Sequence, residues 1–106
     1  MALVKGRMGK LQDALKDLDR AIAIDPGYAK AYSNRGVTRG ALQQNQAAIS
    51  DFTQAIRLDP RLADAYRNRG ITKEMEGDLK GACSDWKIAA SLGQEGPQQW
   101  ASTQCK

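Results

Sequence analysis

Two arginines and three aspartates are the residues whose type and spacing could hold a ligand. Arg35 and Arg69 lie 34 positions apart, each inside the triplet Asn-Arg-Gly, and Asp17, Asp51 and Asp85 recur with the same period. A guanidinium presents a planar fork of N–H donors that fits a carboxylate or phosphate through two parallel bonds. An arginine pair on one surface would therefore bind an anion. The alternative is internal: each Arg lays its aliphatic stem on the core and pairs with an Asp of its own or the preceding unit. Equal periods for Arg and Asp favour the internal pairing. Attention then passes to the neighbouring amides, Asn34 and Asn68. A side-chain amide can both donate to and accept from an extended peptide backbone.

Other chemistry is sparse. The chain has 2 Cys and no His. Two cysteines without histidine do not make a zinc site, and the commonest general base is missing. There is no Ser/His or Cys/His arrangement and no Gly-rich phosphate loop. Glu74 and Glu76 are two apart on a predicted helix and do not face each other. No enzyme activity, metal or cofactor is expected. Lys30, Arg35 and Arg39 are basic, but Asp64, Glu74 and Glu76 dilute the next unit, whereas nucleic acid demands a continuous basic stripe. No nucleic-acid partner is expected. Nor is a membrane, since no run approaches the ~18 apolar residues of a span. The net charge of +4 is a mild, dispersed bias. The opening "MALVKGRMGK" does not read as a secretion signal, so a cytoplasmic setting is the default expectation.

The elements that position these residues follow from the same period. Asp25-Pro26 returns as Asp59-Pro60, Ala31 and Tyr32 as Ala65 and Tyr66, and Thr38 as Thr72. Three copies exist for the second half of the unit: Ala14, Ala48 and Ala82; Leu18, Phe52 and Trp86; Ala21, Ala55 and Ala89. Each unit reads as two helices. In the second unit they run over about Ala29 to Leu42 and Gln46 to Leu58, because Ala48, Ile49, Phe52, Ala55 and Ile56 form one helical stripe. Pro60 ends the second helix, since a residue before proline avoids the helical region. Gly77 and Gly9 are expected at turns. Gly36 and Gly70 fall inside helices, where Gly costs ~1 kcal/mol against Ala. Close backbone approach would justify them, with Gly36 opposite Ala48 and Gly70 opposite Ala82.

The pattern resembles the tetratricopeptide repeat. The family signature appears as Tyr32, Gly36, Ala48, Phe52, Ala55 and Pro60, and again as Tyr66, Gly70, Ala82, Trp86 and Ala89. Departures are Arg35 and Arg69 at the family's Leu, and Arg39 and Lys73 at its following Tyr. The resemblance implies an all-α solenoid of helix-turn-helix hairpins in a single domain. It divides into a truncated first repeat (1–28), a second (29–62), a third (63–94) and a C-terminal capping helix (95–106). Counting back from Ala29, the first repeat would begin six residues before Met1, so only the end of its first helix is expected over Met1 to Met8. Pro97 suits the start of the cap, and Trp100 would cover the last repeat.

The resemblance also implies a peptide- or protein-binding scaffold whose first helices line a concave groove. The residues expected there are Lys30, Asn34, Val37, Asp64, Arg67, Asn68 and Ile71. One subfamily grips chaperone-tail carboxylates with Lys, Asn and Arg. Here Asp64 and Asn68 stand at cation positions of that set, so chaperone-tail binding is not expected. Cys83 holds the apolar place of Leu15 and Ile49, which suits an inert buried thiol. A hairpin between last repeat and cap would alternatively bring Cys83 near Cys105, forming a disulfide if their Cα atoms lie within ~7 Å. Finally, the first repeat lacks a partner helix, leaving Leu11, Leu15, Leu18 and Ile22 partly exposed. Homo-oligomerisation through that end is the second expected function.

Overall fold

A computed structural model describes residues 2–93, with side chains from Gly9 onward. The order is α1 (Ala2–Ile24), α2 (Ala29–Ala41), α3 (Asn45–Leu58), α4 (Ala63–Met75) and α5 (Leu79–Ser91), with no strand among the described residues. α2 packs mainly on α3 and α4 on α5, while α1 meets α2 and α3 meets α4. These are stacked antiparallel hairpins. The cap, with Pro97 and Trp100, lies outside the described residues, as does Cys105.

The core is the recurring stripe. Ala48, Phe52 and Ala55 are 0–1% exposed, and Ala82, Trp86 and Ala89 are 0–2% exposed. Small Ala residues bring the helices close, and one large ring per repeat fills the gap. The equivalents on α1, Ala14, Leu18 and Ala21, are only half-buried. Among the described residues no helix of its own repeat lies over them.

The links between elements repeat too. Asp25 and Asp59 accept a bond from the backbone N–H two residues on, Gly27 and Arg61, each at 3.1 Å. These Asx turns reverse the chain after α1 and α3. Within hairpins the chain leaves the helix through a left-handed residue: Gly77 at φ +87° and, one period earlier, Gln43 at φ +64°. The N–H groups of Gln44 and Asp78 close the two turns onto Arg39 and Lys73 carbonyls at 2.8 Å.

Two expectations are corrected. The period places a turn at Gly9, yet α1 runs straight through it. A hairpin is stabilised by the apolar surface its arms bury. Continuing the helix through Gly9 satisfies the backbone groups there directly, at the modest cost of one glycine in a helix. The second concerns Gly36. A Cβ placed there would lie 2.7 Å from the Phe52 ring, while the methyl of Ala48 sits 4.0 Å from a Cβ on Gly40. The glycine makes room for a ring edge, and the Ala48 contact belongs one turn later. At Gly70 a Cβ would meet the Trp86 indole at 2.6 Å and the Ala82 carbonyl oxygen at 3.1 Å, so here the backbone is close as well.

Candidate functional site

α2 and α4 lie side by side, and residues three and four apart share a helix face. Lys30, Asn34, Asp64, Arg67 and Asn68 line one open pocket of about 300 Å³, together with Ser33 and Leu62. Val37 and Ile71 line a second pocket of about 170 Å³, with Gly36, Gly40, Asn45, Phe52, Thr72 and Met75. Asn68 belongs to both pockets. All seven residues picked from the repeat therefore border this face, one set charged and amide-rich, the other apolar. Val37 and Met75 are 48% and 60% exposed, unusually bare for side chains of that kind.

The amides differ in what they offer. Asn68 Oδ1 already accepts a bond from Arg67 at 3.3 Å, so its NH₂ group remains to donate. The backbone carbonyls of Asn34 and Asn68 accept from Thr38 and Thr72 at 3.0 and 2.9 Å. That recurrence explains why threonine follows each Asn by four residues.

The arginines face the other way, into the hairpins. Arg35 donates to both carboxylate oxygens of Asp51 at 3.0 and 2.8 Å and to Asp19 at 2.9 Å. Arg69 donates to both oxygens of Asp85 at 2.8 and 2.7 Å and to Thr53 at 3.2 Å. Arg39 and Lys73 supply a second cation to each aspartate, at 3.0 and 3.2 Å. The guanidinium groups also lie over Tyr32 and Tyr66, 5.4 and 5.8 Å from the ring centroids. Hydrogen bonds donated to Asp51 hold the Arg35 guanidinium above its usual range despite the opposing cost of burial. Asp85 does the same for Arg69. These side chains bridge own and preceding repeats, so they are not offered to a ligand.

Sequence reasoning passed over two residues. Asp19, rather than the periodic Asp17, is the preceding repeat's partner of Arg35; Asp17 is exposed. Asn45 lies just before the helix expected from Gln46, but it opens α3 and borders the apolar pocket. The signal was available, since Leu11 and Leu79 hold its place in the other repeats. Among the described residues no group of acids or cysteines could hold a metal ion, and no helix is long and apolar enough to cross a membrane.

Family models described as TPR repeat and as tetratricopeptide repeat match residues 7–43 and 29–62. The second TPR of Spaghetti (RPAP3), solved bound to the HSP90 peptide SRMEEVD, is 31% identical. It superimposes with a TM-score of 0.77 over 81% of this chain and 80% of that one. The chain belongs to the tetratricopeptide repeat family. The TPR domain of Arabidopsis OM64 is similar at 28% identity and a TM-score of 0.84, over 95% of this chain and 83% of that one. MamA is similar at 29% identity and a TM-score of 0.75, with 78% of this chain covered. The chain spans about half of MamA, 48% of its length. No curated protein matches the sequence. TPR architecture accounts for the all-α hairpins and for the shared face of α2 and α4, the first helices of their repeats.

Proposed function

We propose that this TPR domain is a protein-interaction scaffold that holds an extended peptide or partner segment between α2 and α4. The observation that carries the reading is the shared pocket of Lys30, Asn34, Asp64, Arg67 and Asn68. Asn34 offers a donor and an acceptor to a peptide backbone, and Asn68 offers donors. Lys30, Arg67 and Asp64 select charge. Val37 and Ile71 supply apolar contact. The solved Spaghetti complex supports the general role, since that relative carries a peptide. The proposed partner differs from a carboxylate-terminated tail, because Asp64 stands where such a tail would need a cation. No bond is made or broken; the scaffold presents a rigid surface.

The test uses peptides selected from a random phage-displayed library on the purified chain, then labelled for fluorescence polarisation. The double substitution Asn34→Ala with Asn68→Ala removes backbone-directed bonds worth roughly 0.5–1.5 kcal/mol each. Peptide affinity is expected to fall about tenfold or more while helical circular dichroism stays unchanged. Unchanged affinity would remove the groove from consideration.

A second reading rests on α1. Ala14, Leu18 and Ala21 are half-buried where their counterparts are covered, and Ile24 is 84% exposed. Uncovered apolar surface of that kind favours self-association. Light scattering across a concentration series decides it: a mass that stays monomeric throughout ends this reading.

A further inference from the structure

α1 is one continuous helix, yet its residues 2–8 repeat, 34 positions earlier, the half of α2 that covers α3. Gly9 stands one period before Gln43 and two before Gly77, the residues that leave their helices in the left-handed conformation at φ +64° and +87°. Gly6 holds the place of Gly40, whose nearest neighbour is the Ala48 methyl; the counterpart of Ala48 is Ala14. Ala2 holds the place of Gly36, and Leu18 the place of the ring that Gly36 admits, Phe52. The larger residue on one helix is thus matched by a smaller one on the other. Lys5 holds the place of Arg39 and Lys73, the second cations on Asp51 and Asp85 at 3.0 and 3.2 Å.

The other half of each contact is left open on α1. Ala14 and Leu18 are half-buried where Ala48 and Phe52 are 0–1% exposed. Asp17, the counterpart of Asp51, is exposed and makes no ion pair among the described residues. A straight helix cannot cover its own face. We propose that the straight α1 is one of two states, and that in the other the chain turns at Gly9 and residues 2–8 pack back on the same chain. There Gly6 and Ala2 cover Ala14 and Leu18, and Lys5 meets Asp17. Glycine serves both states, since it enters a helix at modest cost and takes a left-handed turn without steric penalty. Closing gives up the backbone bonds of the helix junction and gains apolar cover and an ion pair. The occupant is this segment because its residue sizes and its charge match the stripe position by position. Closing also hides the surface on which self-association rests, so the segment is an intrachain cover that competes with a second copy.

Solution NMR of the full chain reads the two states. A continuous helix holds residues 6 and 14 about 12 Å apart along its axis, and residues 2 and 18 about 24 Å apart. Nuclear Overhauser contacts from Gly6 to the Ala14 methyl, and from Ala2 to the Leu18 methyls, therefore arise only when the segment folds back. They are expected in the native chain. Gly9→Ala, which favours the helix and opposes the left-handed turn, should abolish them. Lys5→Glu should weaken them about two- to fivefold, and adding Asp17→Lys should restore them. Their absence from the native chain overturns the proposal. So does their persistence at native strength in Gly9→Ala or in Lys5→Glu. Contacts that pass between differently isotope-labelled copies, rather than within one, put a second copy on the stripe; they overturn the proposal and support self-association. Intrachain contacts in a chain that light scattering finds monomeric throughout support the proposal and end self-association.

Discussion

Arg35 grips Asp51 through two parallel bonds of 3.0 and 2.8 Å, and the aspartate is buried to 3% exposure. Arg69 and Asp85 repeat the grip 34 residues later. The pair joins the two helices of a hairpin, and the third guanidinium bond of Arg35 reaches back to Asp19 on α1. One side chain thus carries both the contact within a repeat and the contact between repeats.

Removing Asp51 leaves two cations, Arg35 and Arg39, without their shared carboxylate. Breaking a buried pair on one side commonly costs ~3–5 kcal/mol, and the partial exposure of both arginines puts Asp51→Ala near the lower figure. Asp17 holds the same repeat position but is exposed and makes no ion pair among the described residues, so Asp17→Ala should change stability by less than ~0.5 kcal/mol. Urea unfolding followed by circular dichroism compares the two. Equal losses would mean that repeat position, not the arginine contact, sets the cost.

Two glycines of α2, one turn apart, should respond with opposite signs. Gly36→Ala pushes a methyl into the Phe52 ring, and overpacking of that kind costs ~1–3 kcal/mol, only partly offset by the helix preference for Ala. Gly40→Ala meets its nearest atom at 4.0 Å, so the preference acts alone and stabilises by up to ~1 kcal/mol. Thermal unfolding midpoints should move down for the first and up for the second.

Gln43 holds a left-handed conformation that its counterpart Gly77 adopts without a side chain. A left-handed residue with a Cβ costs roughly 1–2 kcal/mol, part of which glycine returns through a freer unfolded chain. Gln43→Gly should therefore raise stability by up to ~1 kcal/mol, and Gly77→Ala should lower it. A denaturant midpoint that falls for Gln43→Gly contradicts this account of the turn.

The pairing of Cys83 with Cys105 is a matter of thiol counting. If the hairpin between last repeat and cap joins them, protein purified without reductant should give no thiol with an alkylating reagent under denaturing conditions, and both after reduction. A full complement of thiols before reduction would instead favour the inert cysteine.

How far the sequence reaches depends on how local the cause is. The period, the Asp-Pro turns, the small-residue stripe and the large ring at Phe52 and Trp86 all recur in the chain. Each acts within one hairpin or within a link of a few residues, so spacing alone places them. The pairing of Arg with Asp was legible for the same reason. The groove residues were legible once the helices were aligned, because a helix face is fixed by its period.

Asn45 and Asp19 show the limit. Each acts across a boundary between elements, Asn45 beside a pocket shared by α2 and α4, Asp19 from α1 to α2. Gly9 shows it from the other side, since its turn depends on what an arm can bury. The sequence by itself determined the repeat, its helices and the residues each helix presents. Only the tertiary structure decided which ring meets which glycine, which acid meets Arg35, and that Asn45 borders an open apolar pocket. Those outcomes depend on the distance and rotation between neighbouring helices, which the packing of many side chains sets together and no single spacing encodes.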